Sequence, residues 1–196
     1  MIRAFIALDL PPGVHRALAG LQQEWQRTAA MVSWIKPESI HLTLKFLGNI
    51  ANEQVTEIQA LLLKVAATAA PPRLQPLGCG AFPSIKQARV VWVGLQGAIE
   101  ELLKLQKSIE DALIPLGFEP EDRPYRAHLT LGRVKGRRHL QLLQEAVLRR
   151  QDFQAEAFDV TEVVLYRSEL RPEGARYTAL LRAPLGVGRE PGSCSD

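Results

Sequence analysis

Cysteine is almost missing from this chain. Two occur among 196 residues, Cys79 in an apolar stretch and Cys194 near the C-terminus. So few thiols exclude a disulfide framework and a cysteine-based metal site, and they suit a reducing compartment, so a cytoplasmic location is expected. Long apolar runs are scarce as well. The opening Met1 to Leu10 is apolar but includes Arg3 and Asp9, is too short for a membrane span, and lacks both a basic lead and a small-residue cleavage site. Neither a signal peptide nor a membrane association is expected. No low-complexity run and no solenoid period is present. A large charge of either sign is lacking too, with a formal net charge of +3 and a pI near 9.0. That mild basicity is compatible with a polyanionic ligand without identifying one. At 46% hydrophobic and 23% charged residues, the composition is that of an ordinary globular protein.

What the chain does have is one string written twice. His41-Leu42-Thr43-Leu44 and His128-Leu129-Thr130-Leu131 are the same four letters, 87 positions apart. Strict alternation and β-branched content predict a strand for each, with His and Thr on one face and the two leucines on the other. Simple alternation extends the first polar face to Lys45 and the second to Gly132. It turns Phe46 toward the core and Arg133 away from the polar face unless the strand bends.

The rest of the chain reads as scaffold. Strands are predicted at Ile2–Leu10, Ile40–Leu47, Arg73–Phe82, Arg89–Leu95, Tyr125–Val134, Phe158–Ser168 and Arg176–Arg182. A short extended piece is predicted at Ser33–Ile35. Helical spacing covers Val14–Ala30, Asn52–Ala69, Ile99–Leu113 and about Leu140–Arg149, and Pro11-Pro12-Gly13, Pro71-Pro72 and Pro115 punctuate them. Pro172-Glu173-Gly174 reads as a hairpin turn. A unit of strand, helix, motif strand and helix recurs, so the expected fold is α+β, with two similar lobes facing each other across a cleft lined by the two His faces. Residues 1–185 are expected to form this single bilobal domain, and 186–196, rich in Gly, Pro and Ser, a disordered tail.

Two imidazoles that titrate near neutrality can serve as acid and base on opposite sides of a phosphorus atom. A hydroxyl two residues on can donate to a non-bridging oxygen, and Lys45 could add charge there. A lone strand histidine is more often structural. Duplication of the whole string argues against that reading here. His15 and His139 lack the Thr partner and are read as structural. Two histidines could also bind zinc, yet no Asp, Glu or Cys stands at ligand spacing beside either, so no metal or cofactor is expected. Phe82 and Trp92 could stack on a base or fill a core. Tyr125 and Arg126 lead into the second motif and could reach the cleft rim. The basic turn Lys135, Arg137 and Arg138 could steer a nucleic-acid backbone or simply be solvated.

The two motifs, written His-Leu-Thr-Leu-Lys-Phe-Leu-Gly and Tyr-Arg-Ala-His-Leu-Thr-Leu-Gly-Arg, resemble the two-histidine (2H) phosphoesterase superfamily. Within it, Arg-Ala-Phe-Ile-Ala-Leu-Asp-Leu-Pro at the start, Trp34-Ile35-Lys36-Pro37 and Gly80-Ala81-Phe82-Pro83 look like the RNA 2',3'-cyclic phosphodiesterase (2'-5' RNA ligase) family, over about Arg3 to Leu181. Ala127 departs from the proline common before the second histidine, and Gly132 from the alanine common before the final arginine. The resemblance implies a metal-independent enzyme with a bilobal pseudo-two-fold fold. It implies hydrolysis of RNA 2',3'-cyclic phosphate ends to 2'-phosphates, with reversible 2'-5' joining in vitro. His41 would be the proton donor and His128 the proton acceptor; Thr43 and Thr130 would hold the phosphate. Lys45, Tyr125, Arg126 and Arg133 are further substrate-binding candidates. The expected partner is RNA ending in a 2',3'-cyclic phosphate, tRNA fragments included, met by a monomer. A phosphodiesterase for small cyclic nucleotides and a non-catalytic RNA-end binding module remain the alternatives.

Overall fold

A computed structural model describes residues 1–171 and 174–187. Its elements, in order, are β1 (Ile2–Leu8), α1 (Pro12–Gln26), β2 (Val32–Trp34), β3 (Leu42–Ile50), α2 (Asn52–Thr68), β4 (Arg73–Phe82), β5 (Val90–Gly97), α3 (Ile99–Leu113), β6 (His128–Val134), α4 (Leu140–Leu148), β7 (Phe158–Asp159), β8 (Glu162–Arg171) and β9 (Gly174–Pro184). The helices form where apolar side chains recur every three or four residues. In α1, Val14, Leu18, Leu21 and Trp25 are buried, and in α3, Leu102, Leu105, Ile109 and Leu113. Pro12 opens α1, where its missing N–H costs nothing, and Gly117 in the left-handed region at φ 85° follows α3.

The strands make two antiparallel sheets, one ordered β3-β1-β8-β9 and the other β2-β6-β5-β4-β7. Helices α2 and α3 pack together and against the first sheet, whereas α1 meets α4, which lies on β4 of the second. The chain therefore crosses between lobes repeatedly: β1 is in one sheet while α1 belongs to the other, and β5 and α3 do the reverse. Each sheet is completed from the opposite half of the sequence, since β4 pairs with β5 and β8 pairs with β1. The two-lobed α+β arrangement expected from the repeated unit is the one observed.

Several boundaries differ from the sequence expectation, α1 ending at Gln26 rather than Ala30 and β1 at Leu8 rather than Leu10 among them, and three bear on how the sheets are built. Strand β3 does not stop at Gly48-Asn49 but runs on to Ile50, opposite Ile2. The register slips by one residue between Phe46 and Gly48, and Gly48, at φ 69°, takes up the bulge without the steric cost a side chain would bring. The stretch expected as one strand from Phe158 to Ser168 is two, because Phe158–Asp159 pairs with β4 while Glu162 onward has crossed to the first sheet. Strand β6 begins at His128 rather than Tyr125. In the hairpin, Arg171 is paired with Gly174; the expected turn residues Pro172 and Glu173, and residues 188–196 of the expected tail, lie outside the described residues.

Gly132 of β6 lies against β2: a Cβ there would sit 2.6 Å from Val32 Cγ1 and 2.9 Å from the Trp34 ring. Neither neighbour is a flexible side-chain end. Gly132→Ala is expected to push β2 outward and cost about 1–3 kcal/mol, the usual range for overpacking. A lowered denaturant midpoint with unchanged slope would register it.

Candidate functional site

Both histidines are oriented by the same device. The Nδ1–H of His41 donates to the carbonyl of Ser39 at 2.9 Å, and that of His128 to the carbonyl of Arg126 at 2.7 Å. In each case the acceptor is two residues back, which fixes the tautomer and turns Nε2 outward with its lone pair free. Thr43 and Thr130 follow on the same face, half-buried, while Leu42, Leu44, Leu129 and Leu131 are buried on the other.

Directly after each threonine, both strands bulge. Opposite β1, Thr43 pairs with Ala7 but Lys45 with Ile6, so Leu44 is an extra residue. Opposite β5, Thr130 pairs with Trp92 but Gly132 with Val91, so Leu131 is the extra one. Two successive residues in each strand then point inward, and the third emerges on the His face. Emerging there are Phe46, 58% exposed, and Arg133.

A buried glutamine from the opposite half of the chain caps each bulge. Gln22 of α1 donates to the carbonyl of Leu131 at 2.8 Å and to that of Ile35 at 2.8 Å; Gln106 of α3 donates to the carbonyl of Leu44 at 3.5 Å. A buried carbonyl without a donor is costly, so these amides, joined at Leu131 by the backbone amide of Ile35 at 2.9 Å, favour the bulged register over a regular one. Replacing Gln22 with Leu is expected to cost about 1–3 kcal/mol by removing the side-chain donor to the Ile35 carbonyl and leaving the Leu131 carbonyl with the Ile35 amide alone, and to lower any activity of the site beyond that loss of stability. Thermal unfolding, compared with turnover below the transition, separates the two effects.

The bulge corrects the expectation for Lys45. It is 5% exposed and faces the helices, with Nζ 2.8 Å from Glu110 Oε1 and donating to the Glu119 carbonyl at 2.7 Å, so it does not line the cleft. Glu110 Oε1 also accepts from the amide of Glu121 at 2.9 Å. Burial pushes the Glu110 carboxyl up, but the hydrogen bonds from Lys45 and from Glu121 outweigh it and hold the group below its ordinary value. This cluster ties the loop leading to the second motif onto the strand of the first. Lys45→Met alone would leave the carboxylate buried and unpaired, costing about 3–5 kcal/mol, whereas Lys45→Met with Glu110→Leu would recover most of that. A double-mutant unfolding cycle reads the difference.

Tyr125 strengthens the same tie rather than standing free at the rim. Its hydroxyl donates to the backbone carbonyl of Thr43 at 2.8 Å, and burial raises its pKa. Arg126 has an exposed side chain, and its contribution on view is the carbonyl that orients His128.

Sequence reading missed the aromatic surround of the first histidine. The His41 ring stacks on Phe5 at 4.7 Å and meets Tyr177 edge-on at 5.3 Å, with Tyr166 beyond at 6.4 Å. Phe5, Tyr166 and Tyr177 come from three strands that lie side by side only in the sheet, so no local signal could have found them. Burial pulls the His41 pKa below its ordinary value, against the opposing effects of the Ser39 carbonyl and the Asp9 charge. The second histidine has a lighter surround, with Phe82 edge-on at 5.0 Å and Trp92 behind Phe82 at 5.1 Å. The pKa of Tyr177 is raised by burial, while Arg133 and Arg3 pull it the other way. Arg133, from the second motif, therefore acts on the ring beside the first histidine, and the two motif strands β3 and β6 touch. No cluster of metal-ligating side chains occurs among the described residues.

Comparison with known proteins bears on this geometry. The family model described as the 2'-5' RNA ligase superfamily matches residues 11–172. The chain belongs to that superfamily. A similar relative is the RNA 2',3'-cyclic phosphodiesterase of Methanothermobacter thermautotrophicus, 36% identical over 177 residues, which cover 90% of this chain and 95% of the relative. The protein of that name from Archaeoglobus fulgidus is 33% identical, with 91% and 98% covered. Among solved structures, TT0787 of Thermus thermophilus superposes with a TM-score of 0.79 at 29% identity, over 94% of this chain and 98% of the other. Escherichia coli LigT shares the fold, with a TM-score of 0.72 at 24% identity over 94% and 97%.

Proposed function

We propose that this chain hydrolyses RNA 2',3'-cyclic phosphate ends to 2'-phosphomonoesters without a metal. The observation that carries the proposal is the duplicated unit of an imidazole locked through Nδ1, a free Nε2 and a threonine hydroxyl on the same face. The names of the superfamily relatives, RNA 2',3'-cyclic phosphodiesterases, supply the substrate. With the cyclic phosphate between the motifs, His128 Nε2 takes a proton from water as it attacks phosphorus, and His41 Nε2 gives a proton to the departing 3'-oxygen. Thr43 and Thr130 donate to the non-bridging oxygens, and Arg133 adds positive charge where negative charge builds up. With a 5'-hydroxyl in place of water the roles are the same, His128 taking the proton of the attacking hydroxyl and His41 protonating the departing 3'-oxygen, and a 2'-5' linkage forms; in the reverse direction, which cleaves that linkage, the two histidines exchange roles. We assign the reaction to residues 1–185 acting as one bilobal unit, a monomer of the cytoplasm.

The decisive assay is hydrolysis of a short cyclic-phosphate-ended RNA in EDTA by the wild type, His41→Ala and His128→Ala. Wild type is expected to leave a 2'-phosphate, and each variant to lose about 10²–10⁴-fold in rate while remaining folded. Full activity in either variant would overturn the assignment. Binding without turnover by wild type would indicate an RNA-end binding module, and turnover of cyclic mononucleotides alone a small-molecule phosphodiesterase.

Burial of His41 has a pH consequence. The apolar surround disfavours the imidazolium in the free protein, and a bound phosphate anion restores it, so binding takes up a proton. Cyclic-phosphate-ended RNA does not itself titrate near neutrality. Its affinity for His128→Ala is expected to rise as pH falls from about 8 to about 5, and to be nearly flat when His41→Ala is added. Fluorescence anisotropy of labelled RNA measures both.

A further inference from the structure

A cavity of about 530 Å³ opens from His41 toward the end of the β8–β9 hairpin. Its lining includes Lys36, Arg171, Arg176 and Arg182 against two carboxylates, Asp9 and Glu38. Their pairing leaves the charge uneven. Asp9 is fully engaged, accepting from Tyr166 at 2.6 Å and from Arg182 at 2.8 Å, and Arg182 also meets Glu162. At the hairpin end one carboxylate serves three guanidinium groups: Glu169 lies 2.9 Å from Arg167 and 3.0 Å from Arg171, and Arg176 faces it across the strand pair. Together they lower its pKa. The Lys36 side chain lies along the start of β9, its Cε 3.9 Å from where a Cβ on Gly174 would sit. Of the lining charges that leaves Glu38 against Lys36, Arg171 and Arg176, a positive surplus on the side of the cavity formed by the hairpin end.

None of these cations is used by the chemistry at the motifs. A phosphate held at His41 is already served by two imidazoles, two hydroxyls and Arg133. What continues away from that phosphate in an RNA, and not in a cyclic mononucleotide, is the chain leaving the terminal ribose through its 5'-oxygen. We propose that Lys36, Arg171 and Arg176 form a second phosphate subsite that takes the phosphodiester one nucleotide upstream of the cyclic end. The subsite makes the protein selective for the end of a single strand over a free cyclic nucleotide. This inference rests on the reading that the His41 face receives the cyclic phosphate.

The test compares kcat/KM for a dinucleotide ending in a 2',3'-cyclic phosphate with that for 2',3'-cyclic AMP. The wild type is expected to prefer the dinucleotide by roughly tenfold or more, and Lys36→Gln with Arg176→Gln to bring the ratio near unity, acting through KM. The salt dependence of log kcat/KM for the dinucleotide should become shallower by about 0.7, the value of one phosphate contact on a single strand. Lys36→Arg should keep the preference. An equal loss on both substrates, or no preference in the wild type, would overturn the subsite. If the wild type turns over neither substrate, titration with a 3'-phosphorylated dinucleotide and with 3'-AMP keeps the question open to an answer. A preference for the dinucleotide that vanishes in the double variant would uphold the subsite while the catalytic reading falls, and equal affinities would overturn both.

Discussion

The structure depends on two buried amide groups holding two irregular strands in place. A regular β3 would turn Lys45 toward the cleft, and a regular β6 would turn Arg133 away from it. Gln22 and Gln106 donate to the carbonyls of the extra residues, Leu131 and Leu44, and so stabilise the bulged register in both lobes at once. Each glutamine comes from the half of the chain that does not contain the strand it caps. The local geometry at one motif is thereby written into the packing of the other half's helix. A short tetrapeptide can then hold its imidazole and hydroxyl in the same relation twice, because the residues that fix it lie outside it.

How much of this was legible in the sequence follows from the range over which each feature is determined. The helices were readable because an apolar stripe every three or four residues is local, and the Ile99–Leu113 boundaries were read as observed. The two motifs were readable because strand alternation places His and Thr together without reference to any neighbour. Lys45 was misplaced because a bulge depends on the partner strand's register and on a donor from a distant helix, neither of which leaves a trace in the few letters around it. Alternation turns Arg133 away from the polar face unless the strand bends, and the bulge at Leu131 is that bend. Phe5, Tyr166 and Tyr177 were invisible for a further reason: β1, β8 and β9 are brought side by side only through sheet pairing, with β1 at the opposite end of the sequence from the other two.

The pseudo-symmetry stops at the first layer of contacts. Both imidazoles have the same carbonyl behind Nδ1, yet His41 is enclosed by rings from three strands and His128 is touched edge-on by one. Identical motifs have thus been given different solvation. A buried imidazole is held neutral until an anion arrives, and the lightly covered one remains open to water. Two chemically identical groups acquire distinct tendencies from their surroundings alone.

The exchange of strands between halves gives the chain the topology of an intertwined pair. Cut between β4 and β5, the first half would leave β1 with one edge unpaired and β4 with no sheet to join. Two copies of that half would complete one another, each lending its last strand to the other's sheet and its first helix to the other's strand. The fold has the topology of a strand-exchanged pair whose two halves are joined through the turn at 83–89. Joined in one chain, the two halves need not be identical. A lysine or a glycine follows the same tetrapeptide, a phenylalanine or an arginine emerges from the same bulge, and the site between the halves has a direction.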